Sequence, residues 1–273
     1  MTEALQRRAH ELALSLREHV KELEKQRKAL ELLADPKAWT DRASRERAAK
    51  AVAMTVEAPA LAAFAAELTQ GLRAWASEQR RVFVDRFLAL VAERGGTAEP
   101  VGQQPPVFDL AGIQVEVDYD KEEARLSYGR EDLGSCALDP ETILRARDEH
   151  ALRLERAWPG AAVFFDAFAS AYRARLGREN KPPQERVALT DLLPELGLEG
   201  ELRRLEAPIS DKASFAYCLD RLAREGGLEK DGYRIELGTA TGGSTKDKKR
   251  VLFLRHGLGG GQYYLTARVG SLR

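Results

Sequence analysis

The sequence predicts a mainly helical protein with an α+β C-terminal part, on three observations. A heptad pattern runs through residues 5–33, apolar stripes of helical period recur up to residue 224, and strand-like alternation is confined to 113–128 and to the stretch after 233. A chain of 273 residues can bury roughly 70–75% of its unfolded surface, enough for one large or two ordinary domains. Three regions are expected: a helical hairpin or coiled-coil arm over 1–95, a β-hairpin with helices over 105–178, and an α+β module over 185–273.

In the arm, Leu5, Leu12, His19, Gln26 and Leu33 share one seam position, and Ala9, Leu16, Leu23 and Leu30 share the other. Charged residues fill the outer faces. The apolar positions Leu12, Leu16, Leu23 and Leu30 are the candidates for partner binding, with a second copy, another protein or the chain's own next helix as the occupant. The polar seam residues His19 and Gln26 are read as setting register. Asp35-Pro36 ends this helix, and a second helical stretch, bent near Ala58-Pro59, runs to about Arg94 and can fold back against the first. Its aromatic residues Phe64, Trp75 and Phe83 lie on the aliphatic stripe, so core packing accounts for them.

The middle begins after a stretch rich in Gly and Pro from Gly95 to Pro106, read as a linker. Ile113–Val117 and Ala124–Tyr128 alternate as the two arms of a hairpin. Its turn carries Asp118, Asp120, Glu122 and Glu123, which could gather a divalent cation, but no neighbouring residues complete such a site. A solvated acidic turn is expected, with no metal and no cofactor. Asp139-Pro140-Glu141 opens a helix to about Trp158, since Asp caps, Pro suits the first turn and Glu favours the positive end of the dipole. After the Pro159-Gly160 corner, Phe164, Phe165, Phe168, Tyr172 and Leu176 mark another helix. His150 has no second His within four residues and reads as structural.

A second linker at Asn180–Pro183 precedes helices expected over Val187–Leu196 and Ser210–Arg224. Strands over Tyr233–Leu237, Arg250–Leu254 and Gln262–Val269 are expected to form an antiparallel meander. That order fits a degenerate winged helix and a generic α+β cap alike. Between the first two strands, Gly238 and Gly243 have the spacing of a phosphate loop, but Ser244 and Thr245 stand where Lys and Ser or Thr are required, and a strand follows instead of a helix. Nucleotide hydrolysis is not supported.

What remains of that run is a basic loop. Although the formal net charge is zero, residues 226–273 hold nine Lys and Arg against four Asp and Glu, while residues 96–225 are acidic. Lys246, Lys248, Lys249, Arg250 and Arg255 are therefore candidates for contact with nucleic-acid phosphates. An enzymatic alternative places His256, Tyr263 and Arg268 on the same sheet as a metal-independent ribonuclease-like site, with His256 carrying the proton. No nucleophile elbow is present, and Cys136 and Cys218 have no activating context or partner spacing. With 44% hydrophobic and 32% charged residues and no long apolar run, a cytoplasmic protein without a membrane partner is expected. The functional expectation is a non-enzymatic, oligomeric adaptor or accessory subunit of a multiprotein assembly. Its partners are protein or self through the N-terminal helices and DNA, RNA or neither through the C-terminal loop; a pure protein-interaction scaffold remains the third reading.

Overall fold

The computed structural model describes residues 2–35, 41–53, 59–203, 206–245, 247–257 and 260–271. The chain forms two compact units, Met1–Val82 and Phe83–Arg273, and combines helices with two antiparallel sheets. The sequence places divisions near 95–105 and 178–185, whereas the contacts divide the chain once, between Val82 and Phe83.

The first unit holds α1 (Thr2–Ala34), α2 (Arg42–Ala53) and most of α3 (Pro59–Glu93). Helices α1 and α2 pack together through Ala29 and Leu33 on one side and Ala48 and Val52 on the other. Gln26 is buried on the same side of α1, so the end of the expected seam is used within the chain. Asp41 caps α2 by accepting the Ala43 and Ser44 N–H groups. On the outer faces Lys21 pairs with Glu18 at 3.0 Å, Lys25 with Glu22 at 2.6 Å and Arg27 with Glu31 at 2.6 Å. Such exposed pairs are screened by solvent and contribute little to stability.

In the second unit, the last turns of α3 contribute Phe83, Phe87 and Val91 to a core shared by every following element class. Five strands form a sequential sheet: β1 (Glu99–Gln103), β2 (Pro106–Leu110), β3 (Ile113–Asp118), β4 (Glu123–Tyr128) and β5 (Glu131–Ala137). The expected hairpin is its centre, with Val115 opposite Leu126. Ile113, Val115 and Val117 alternate inward along β3. Half of the Gly and Pro stretch read as a linker is instead strand, namely β1 and the first residue of β2. Pro100 is tolerated there because β1 is an edge strand. Ring contacts tie the sheet to α3, with Phe87 and Phe108 centroids 5.4 Å apart and Phe83 edge-on to Tyr119 at 5.8 Å.

Helix α4 (Pro140–Arg156) starts where its cap requires, with Asp139 accepting the Thr142 N–H at 2.9 Å. Helix α5 (Ala161–Arg178) buries Phe164, Phe168 and Tyr172. The helix expected over Val187–Leu196 is divided into a short strand β6 (Val187–Ala188), a 3-10 turn (Leu189–Leu192) and α6 (Leu193–Leu202). Pro194 supplies the reason: it has no N–H to donate to a carbonyl one turn upstream, so it fits only the first turn of a helix, and α6 begins beside it. Helix α7 (Lys212–Arg224) is capped by Asp211, which accepts the Ser214 N–H at 2.8 Å. Its buried face, including Phe215, Leu219 and Leu222, packs against β4 and β5.

The last strands are β7 (Glu229–Lys230), β8 (Tyr233–Thr239), β9 (Leu252–Arg255) and β10 (Gly261–Ser271). The expected meander is corrected here: β8 does not pair with β9, and β10 lies between them. Tyr264 of β10 faces Thr239 of β8 on one edge and Leu252 of β9 on the other. The 11 residues of β10 leave room for β9 at Gly261–Tyr264 and β6 at Thr266–Ala267, and the connection from Ala240 to Val251 is long enough to cross two strand spacings of roughly 4.8 Å each. Strand β6 pairs with β10 at Ala267 and Thr266, and α7 packs against β9, so the two sheets and the helices between them share one core.

Candidate functional site

The loop between β8 and β9 is anchored at both ends, and its described side chains between them are exposed. Ala240 and Val251 are buried, and the Ala240 N–H donates to the Tyr263 carbonyl at 2.8 Å. Lys212, at the start of α7, donates its Nζ to the Lys248 carbonyl at 2.8 Å and pairs with Glu131 at 2.9 Å. Glu131 in turn accepts the Phe253 N–H at 3.2 Å. Asp247 turns the chain: its carboxylate accepts the Lys249 N–H and its carbonyl the Arg250 N–H, both at 3.1 Å.

Lys248, Lys249 and Arg250 are exposed beyond this tether, and among the described residues no carboxylate pairs with them. Lys246 lies outside the described residues. Of the two glycines that suggested a phosphate loop, Gly238 is inside β8, where a Cβ would overlap Thr266 Oγ1 and Arg186 Nη1. Gly243 is in a 3-10 turn with open space around it.

Arg255 belongs to another environment. Only 13% of its side chain is exposed, and it pairs at 2.6 Å with Asp109 Oδ2, whose carboxylate is 1% exposed. Asp109 also accepts the Gly112 N–H at 2.8 Å, and the Arg255 guanidinium lies 5.5 Å from the Tyr128 ring centre. A Cβ at Gly112, whose φ is +105°, would overlap Arg255 Nη1, so both the turn and the close approach require glycine. Beside this pair, the Tyr128 hydroxyl donates to Asp220 Oδ2 at 2.5 Å and Arg224 pairs with the same oxygen at 3.0 Å. Burial, then the neighbouring Asp220 charge, push the Tyr128 hydroxyl well above the ordinary tyrosine range. The network ties β2 and β4 to α7 and β9.

Of the three residues of the ribonuclease alternative, Tyr263 does not join His256. His256 Nε2 lies 3.3 Å from the Tyr264 hydroxyl, whereas Tyr263 stacks edge-on to Phe253 at 5.0 Å. Adjacent strand residues face opposite sides, so Tyr263 and Tyr264 diverge. Arg268 is held by both oxygens of Glu236, at 2.8 and 2.6 Å.

The acidic turn is used internally. Asp118 accepts the N–H groups of Asp120 and Lys121 at 3.0 Å each and pairs with Lys121 Nζ at 2.9 Å, while Glu123 accepts the Ser135 hydroxyl at 2.5 Å. No group of three or more potential metal ligands is found among the described residues.

In the N-terminal arm, Leu23 is 45% exposed and Leu30 is half-buried beside the α1–α2 cluster; the side chains of Leu12 and Leu16 lie outside the described ones. Among the described residues, no helix is long and apolar enough to cross a membrane. Comparison of the chain with protein-family models, curated proteins and solved structures finds no match.

Proposed function

We propose that the chain is a non-enzymatic adaptor or accessory subunit that joins an assembly through α1 and contacts nucleic-acid phosphates through the loop between β8 and β9. The observation that carries the phosphate reading is the triplet Lys248-Lys249-Arg250, exposed, without carboxylate partners among the described residues, on a loop tethered by Lys212. A tether lowers the entropy lost when the loop meets a ligand, and consecutive cations suit the repeated charges of a polyanion better than a single small anion. In this reading α7 and the strands after it act as a degenerate winged helix, with the loop as a basic wing. Base-specific readout is not part of it. Arg221 is engaged by Glu155 at 2.6 Å and by Glu225 at 2.9 Å, so it is not offered to base edges.

The assembly reading rests on α1, where Leu14, Val20, Leu23 and Leu32 are exposed although α2 covers another face. Binding of wild-type protein to single- and double-stranded DNA and to RNA, compared with Lys248→Ala/Lys249→Ala/Arg250→Ala, tests the phosphate reading. The expected result is wild-type binding without sequence preference and at least tenfold weaker binding by the variant. Absence of wild-type binding to all three would leave a pure scaffold.

A further inference from the structure

A second basic feature lies away from the loop, near the C-terminal end of α7. There a cavity of about 630 Å³, within the usual range for small-molecule sites, opens between α7, β8, β9 and β10. Arg186, Arg224, Arg234 and His256 line it, and their side chains are not closed off: Arg186 is 45%, Arg224 61% and Arg234 55% exposed.

The carboxylates near these arginines occupy them incompletely. Arg234 stands 3.5 Å from Glu229, and Arg186 stands 3.7 Å from Glu236, which is already gripped by Arg268. Asp220, the partner of Arg224, is shared with the Tyr128 hydroxyl. Each guanidinium has five N–H donors in a planar fork, so donors remain for an oxyanion.

The rest of the lining has a different chemistry. Ala223, Leu228, Leu237 and Leu254 supply apolar surface, Tyr264 a ring, and Glu236 an acceptor beside the arginines. A phosphate group meets arginine forks through several oxygens, a flat heterocycle meets leucine and tyrosine surfaces, and sugar hydroxyls are donors for a carboxylate.

We propose that this cavity binds one nucleotide, with its phosphate at Arg224 and Arg234 and its sugar and base against Glu236, Tyr264 and the leucines. The shared chemistry is a nucleoside monophosphate unit, either free or as the phosphorylated end of a strand. The inference does not depend on the loop between β8 and β9.

Calorimetric titration of the full chain with AMP, adenosine and inorganic phosphate, and with a short oligonucleotide bearing either a 5′-phosphate or a 5′-hydroxyl, tests the proposal. The expected result is saturable binding of AMP, of the 5′-phosphorylated strand, or of both, with adenosine and inorganic phosphate at least about tenfold weaker. AMP binding identifies the free nucleotide as the source, and binding of the phosphorylated strand without AMP identifies the strand end. Arg224→Ala should weaken that binding about tenfold or more. Arg234→Ala, at an exposed position on β8 away from the Asp220 network, should do the same with an unchanged circular dichroism spectrum. Lys248→Ala/Lys249→Ala/Arg250→Ala should leave AMP binding intact, which separates this site from the loop. Absence of saturable binding by both AMP and the phosphorylated strand, or unchanged affinity in Arg234→Ala, would overturn the proposal.

Discussion

Substituting Asp109 by Leu removes the carboxylate that holds Arg255 at 2.6 Å and accepts the Gly112 N–H at 2.8 Å. Because Asp109 is 1% exposed and Arg255 13%, the guanidinium left behind has little water to replace its partner. Breaking such a pair from one side costs about 3–5 kcal/mol. For a unit of this size each kcal/mol lowers the midpoint by about 2–4 °C, so a fall of roughly 6–20 °C is expected in thermal unfolding followed by circular dichroism. Arg255→Met alone leaves a buried carboxylate and should cost a similar amount, including the lost contact over Tyr128. The double variant Asp109→Leu/Arg255→Met buries no unpaired charge. It should therefore fall short of the sum of the single effects by about 2–3 kcal/mol. Additive single effects, or an Asp109→Leu midpoint within about 1 °C of wild type, would refute the assignment of Arg255 to a structural lock.

Tyr128→Phe should destabilise by about 1.5–3 kcal/mol, since Asp220 loses a buried donor at 2.5 Å; ultraviolet titration of the wild type should show Tyr128 resisting ionisation together with Tyr217 and Tyr172 after the exposed tyrosines have titrated, and Tyr128→Phe should remove one of the resistant groups. The His150 imidazole is held below its ordinary value of 6.5 by burial first and then by Arg153, against the opposing pull of Glu149, Asp132 and Asp211. The unfolded chain then takes up the proton more readily than the native state, so His150 contributes full stability above about pH 6.5 and loses it as pH falls below that value. An NMR titration placing His150 at or above 6.5 would contradict this. Leu23→Glu, at a position 45% exposed, should change the midpoint by no more than about 0.5 kcal/mol equivalent while reducing assembly or partner capture. Wild-type and variant proteins with the same mass by light scattering and the same partner capture would remove α1 from the assembly role.

The parts of this fold that were legible in the sequence are those fixed by local chemistry. Asp139 before Pro140 caps its helix as expected, and the alternation in β3 and β4 shows their hairpin directly. Pairing between distant segments left weaker traces. The Pro and Gly residues from 95 to 106 hid β1 and β2, and Gly134, at φ +114°, interrupts the alternation of β5 beside a register shift. Nothing local records that β10 separates β8 from β9, because strand order depends on which edges are free after the core closes.

The candidate site divides in the same way. Lys248, Lys249 and Arg250 are adjacent in sequence, so their cluster was readable, whereas Arg255 was grouped with them by proximity along the chain. Its partner Asp109 lies 146 residues away, and Tyr128 and Asp220 are separated by 92. Arg186, Arg224 and Arg234 likewise come together only when α7 and the second sheet are assembled. No spacing rule links such positions. Charge that looks available in a sequence can be consumed by folding, and charge that looks scattered can converge.

The central claim, phosphate contact by the loop between β8 and β9, is tested most directly by the salt dependence of binding to an unstructured DNA strand and to a duplex. Each phosphate contact contributes about −0.7 to the slope of log K against log salt for a single strand and about −0.9 for a duplex. Replacing Lys248, Lys249 and Arg250 together by Ala should therefore flatten the slope by about 2–3 and lower affinity regardless of sequence. A slope unchanged by the triple substitution, with wild-type affinity retained, would contradict the account.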